Sequence, residues 1–74
     1  MTVSTLALEK LCSTGCSIVL NFSDCSAISL EKLVSLTKKS NGHITIKNCQ
    51  NASSLLLEKL ATLGKEHITI DFTN

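Results

Sequence analysis

The chain has no arginine, no proline, no tryptophan and no tyrosine, and two phenylalanines are its whole aromatic content. Nucleic-acid recognition draws on arginine forks, stacking aromatics and a positive field. Seven lysines against six acids leave a net charge of +1, so the field is missing too, and no nucleic-acid partner is expected. No apolar run comes near the roughly 18 residues of a membrane span, so no membrane partner is expected. Residues 1–11 have neither the basic start nor the apolar stretch of about 7–15 residues of a secretory signal, and a cytoplasmic location is the expectation. Three isolated glycines make no phosphate loop, and no Gly-x-Ser-x-Gly segment occurs. No enzyme activity, catalytic residue, cofactor or metal is therefore expected. Disorder is excluded from the other side: 43% of the residues are hydrophobic and 18% charged.

What is present is repetition. The segment Leu-Glu-Lys-Leu occurs at 8–11, 30–33 and 57–60, each time followed by a glycine, at Gly15, Gly42 and Gly64. Each glycine precedes an alternating run: Ile18-Val19-Leu20-Asn21-Phe22, Ile44-Thr45-Ile46-Lys47-Asn48 and Ile68-Thr69-Ile70-Asp71-Phe72. Three copies in the same order point to three helix–strand units in one domain spanning 1–74, at about 4–25, 26–51 and 52–74. A chain of this length buries only roughly 60% of the surface it exposes when unfolded, so its core is thin.

In the helices, Leu8, Leu11 and Cys12 recur at i, i+3, i+4. The same set reads Leu30, Leu33, Val34, Thr37 and then Leu57, Leu60, Ala61, Gly64, one buried face in each case. Leu11, Leu33 and Leu60 are expected to be equivalent core positions. Ser4, Ser26 and Ser53 are candidate N-caps, because a serine oxygen accepts from free first-turn amides. The glycines are expected to end the helices in the left-handed conformation. In the strands, Ile18, Leu20, Phe22, Ile44, Ile46, Ile68, Ile70 and Phe72 share one face. The other face carries Val19, Asn21, Thr45, Lys47, Thr69 and Asp71.

A sheet covered on both sides has continuously apolar strands, whereas here one face alone asks for burial. The expected fold is α/β in two layers, αβαβαβ, with helices on one face. Right-handed crossovers place three parallel strands in the order 1-2-3. The open face, through Val19, Asn21, Thr45, Lys47, Thr69 and Asp71, is the expected protein-binding surface.

Leu20-Asn21-Phe22-Ser23-Asp24-Cys25 and Ile46-Lys47-Asn48-Cys49-Gln50-Asn51 resemble the Leu-x-Leu-x-x-Asn/Cys signature of leucine-rich repeats, with Cys25 and Asn51 at the Asn/Cys position. Ile70-Asp71-Phe72 begins a third copy. The resemblance implies a curved solenoid that binds proteins on its strand face. Residues 18–47 are also similar to the strand–helix–strand centre of STAS domains, with Ser23-Asp24-Cys25-Ser26 at the helix start. That resemblance implies a regulatory switch instead. The near-identity of the units also suits a designed or excised repeat array without native activity.

Cys12, Cys16, Cys25 and Cys49 are read as structural thiols, with two disulfides or a metal as the alternatives. Cys12 lies in the core column of Val34 and Ala61. Cys16 falls in the loop after Gly15. Cys49 is expected on the open sheet face and so the most reactive. His43 and His67 occupy the same place before the second and third strands, as a pH-sensitive pair, half a metal site, or plain repeat residues. Lastly, the third strand has an unpaired edge, at Ile68, Ile70 and Phe72, which invites another chain. Two such edges meeting antiparallel about a two-fold axis would close at a homodimer.

Overall fold

The computed structural model describes residues 4–73, so Asn74 at the end of the third unit lies outside the described residues. Six elements follow one another in strict alternation. They are α1 (Thr5–Cys12), β1 (Ser17–Asn21), α2 (Ala27–Lys39), β2 (His43–Lys47), α3 (Ser54–Gly64) and β3 (Ile68–Ile70), with short 3-10 turns at Phe22–Asp24, Cys49–Asn51 and Lys65–His67. The strands are parallel in the order β1-β2-β3. Their register aligns the repeats, with Ile18 beside Ile44 and Ile44 beside Ile68, then Leu20 beside Ile46 and Ile46 beside Ile70.

Each helix starts where a serine satisfies a first-turn amide. The Oγ of Ser4 accepts from Ala7 N at 3.2 Å, that of Ser26 from Ser29 N at 3.3 Å and that of Ser53 from Leu56 N at 3.2 Å. The ends follow a different rule from the one expected. Gly15 is the one glycine with a positive φ, at +83°; in the later units positive φ falls instead on Asn41 (64°) and on Lys65 (50°), the latter with ψ −118° and so outside the left-handed helical region. Gly42 and Gly64 are small for another reason. A Cβ on Gly42 would sit 2.8 Å from the carbonyl oxygen of Cys16, and one on Gly64 would sit 2.8 Å from both Val34 Cγ1 and Ile68 Cγ2. The chain therefore spends these two glycines on close approach.

The core lies between the helix layer and one face of the sheet. It is built from Leu8, Cys12, Leu20, Leu30, Leu33, Val34, Ile44, Ile46, Cys49 and Leu60. Thr37 is buried among them, and its hydroxyl donates to Leu33 O at 2.8 Å. Two residues depart from the repeat's expectation. Leu11 is 45% exposed whereas Leu33 and Leu60 are fully buried, and Ala61 is exposed whereas Val34 and Cys12 are fully buried. The cause is position in the stack. α2 packs against both α1 and α3, but no helix among the described residues flanks α1 or α3 on its outer side.

Two ion pairs join the helices on their outer surface. Glu9 pairs with Lys32 at 3.2 Å, and Glu31 pairs with Lys59 at 3.1 Å. Each links the glutamate of one Leu-Glu-Lys-Leu segment to the lysine of the next. All four side chains are partly exposed, so each pair contributes about 0–1 kcal/mol and acts mainly to fix the spacing of units.

Candidate functional site

The alternation of each strand turns one row of side chains away from the helices. On β1 these are Ser17, Val19 and Asn21, all exposed. On β2 they are His43, Thr45 and Lys47, half-buried because strands flank them on both sides. On β3 they continue with the exposed Thr69, and the half-buried Asp71 follows just past the strand's end. The register arranges them in rows across the sheet, Val19 beside Thr45 and Thr45 beside Thr69, with Asn21 beside Lys47 in the next row. Five of the six residues expected on the open face stand on the strands' side away from the helices, and Asp71 follows just beyond the end of β3.

Polar contacts fix parts of this surface. His43 Nε2 lies 2.7 Å from Thr69 Oγ1, a bond across the sheet. Asp71 Oδ1 accepts from the backbone N of Thr73 at 2.8 Å and from its hydroxyl at 2.6 Å. Those two hydrogen bonds hold the Asp71 carboxyl below its ordinary range, with a smaller contribution from the charge of Lys47. Val19, at 65% exposure, is the large apolar side chain of this surface.

The two histidines are separately engaged. His67 Nδ1 lies 2.8 Å from the carbonyl oxygen of Gly42, so that nitrogen carries the proton. Among the described residues no group of three or more His, Cys, Asp or Glu stands where it could hold a metal ion.

The chain matches no family model, no curated protein and no solved structure. The reading of the site therefore rests on its own geometry.

The four thiols are free rather than joined in disulfides. Cys12 is fully buried in the core column, as the repeat implies, and Cys16 is exposed in its loop. Cys49 corrects the expectation that placed it on the open face. Parity along β2 would put it there, but Asn48 takes a left-handed conformation (φ 59°, ψ 44°) and turns the chain inward. Cys49 is fully buried, and its Sγ donates to Ile46 O at 3.1 Å. Burial pushes the thiols of Cys12, Cys25 and Cys49 up, which makes them poorer nucleophiles. Cys16, the exposed thiol, replaces Cys49 as the accessible one.

The outer edge of β3 differs in detail from its expected form. The regular strand ends at Ile70, and Phe72 beyond it is 54% exposed. Asp71 N donates to Ile46 O at 2.8 Å. Alternate residues of a parallel strand face the same neighbour, so Thr69 also turns its backbone toward β2. The backbone groups on the free side are those of Ile68 and Ile70. The amide of Gln50 donates to Phe72 O at 2.6 Å and occupies that carbonyl.

A shallow open depression of about 310 Å³ lies at the C-terminal ends of α1 and α2, lined by Ser13, Leu36, Lys39 and Ser40. No helix among the described residues is long and apolar enough to cross a membrane.

Proposed function

We propose that the domain is a leucine-rich-repeat-like protein-binding module. It is a cytoplasmic scaffold element without enzymatic activity that takes up partners on its open sheet face and along the free edge of β3. The observation that carries this reading is Val19. A β-branched side chain, largely exposed on a strand, loses little freedom when a partner covers it. Asn21 and Lys47 lie in the next row of the same face and Asp71 just beyond β3, polar groups of both charge signs such as line an interface rim. Ile68 and Ile70 add unpaired backbone groups at the edge, which suit a second copy of this chain.

The test is capture of protein partners by the immobilised domain. Val19→Asp combined with Lys47→Glu should reduce capture about tenfold or more, the effect of losing one exposed apolar anchor and a charge. Undiminished capture by the double variant would remove the open face from the reading. Ser23 and Ser26, exposed just ahead of α2, favour the STAS-type switch as the second reading. Ser26 already caps α2 through Ser29 N. Incorporation of phosphate at Ser23, Ser26 or Ser29 by a partner kinase would move the assignment to that switch.

A further inference from the structure

The two ends of the stack are the unmatched halves of its own internal junctions. Between α1 and α2 the junction contains the pair Glu9–Lys32, and between α2 and α3 the pair Glu31–Lys59. The Leu-Glu-Lys-Leu segments supply three glutamates and three lysines to this ladder, so two are left over: Glu58 on α3 and Lys10 on α1. Among the described residues neither has an ion-pair partner, and both are exposed. The apolar groups follow the same rule. Val34 is buried because α3 covers it, and its counterpart Ala61 is bare at the C-terminal end. Leu33 is buried in the stack, and its counterpart Leu11 is half-exposed at the N-terminal end. Among the described residues no strand pairs with the outer side of β1 or of β3.

We propose that a second copy of this chain docks head-to-tail, its α1 and β1 end against the α3 and β3 end of the first. This rests on the protein-binding reading above and names the partner of the β3 edge. Glu58 then pairs with the partner's Lys10, continuing the ladder by one step. The partner's Leu11 and the first copy's Ala61 become covered, as Leu33 and Val34 already are. β1 of the second copy lies parallel to β3, extending the order β1-β2-β3 into a longer sheet of one direction. The contact joins two different surfaces, so each copy retains one free end of each kind, and growth continues past a dimer unless the stack closes on itself. Antiparallel pairing of two third strands would satisfy the edge of β3 but would leave Leu11 and Lys10 uncovered.

Sedimentation of the full chain tests this from about 10 μM to about 1 mM, where weak contacts register. The average mass should climb past that of a dimer. Lys10→Glu and Glu58→Lys each set like charges at the junction and should weaken association roughly fivefold, the scale of an exposed pair. An equimolar mixture of the two variants restores opposite charges at every mixed junction and should recover the wild-type mass. Lys10→Gln, which adds no charge, should shift the mass in the same direction as Lys10→Glu. Circular dichroism of each dilute variant checks that the monomer is folded. A monomer at all concentrations would overturn the proposal. So would a plateau at the dimer mass untouched by Lys10→Glu, which would identify the two-fold pairing of third strands. A monomer that still captures protein partners through Val19 would overturn the head-to-tail contact alone and leave the binding module standing.

Discussion

Leu11 and Leu33 stand at the same place in the same four-residue segment, yet one is 45% exposed and the other fully buried. Val34 and Ala61 differ in the same way, with the ends reversed. The middle unit has a helix on both sides and a strand on both sides, and it holds most of the core: Leu30, Leu33, Val34, Ile44, Ile46 and Cys49. The outer units contribute Leu8, Cys12, Leu20 and Leu60. The residues are nearly the same in all three; what differs is whether a neighbour is present to exclude water. Burial in a repeat stack is a property of the junction more than of the unit.

The largest test of that contrast is a matched pair of truncations. Leu33→Ala removes a fully buried side chain and should cost about 2–5 kcal/mol. Leu11→Ala, at the stack's end, should cost under about 1 kcal/mol, the scale of an exposed substitution. Urea unfolding of both variants measures the difference, and equal costs would dissolve the distinction between middle and end. The second test sharpens the α2–α3 junction. Gly64→Ala drives a methyl into Val34 and Ile68 and should destabilise by about 1–3 kcal/mol. Val34→Ala in the same chain should return part of that loss, and a double-mutant cycle reads the coupling. The smallest effect concerns the end strand. The Asp71 carboxyl is held low in the folded state by Thr73, so its contribution is present above the ordinary carboxylate range and fades as pH falls through the lowered value. Asp71→Asn should therefore flatten the acid limb of the stability curve measured between about pH 7 and pH 3, with little change to the middle unit.

Much of the architecture was legible because helix and strand periods are written separately into each unit. The Leu-Glu-Lys-Leu segment sets the helix face, and Ile18, Ile44 and Ile68 mark equivalent points of three strands, which pair in that register. The three serine caps could be located because their chemistry is local. Two kinds of error share one origin, since rules applied unit by unit cannot see neighbours, and the third is local. Leu11 and Ala61 were assigned by equivalence, and equivalence stops at the ends of a stack. Gly42 and Gly64 looked like helix caps, but backbone packing across 26 residues and side-chain packing across 30 had claim to them. Cys49 followed strand parity until Asn48 turned the chain, and an asparagine tolerant of the left-handed region was the available signal.

The sequential strand order governs time as well as stability. The main contacts join each unit to the next in the chain, and each helix packs on the strand that follows it over a short loop. β1, α2 and β2 form the first complete crossover that can hold together, and β2, α3 and β3 form a second sharing the same central strand. Folding that starts on β2 can spread in either direction without undoing an earlier step. Opening runs the other way: amides of β3 and α1 should exchange with solvent well before those of β2 and α2, in a sequence of fraying steps from both ends.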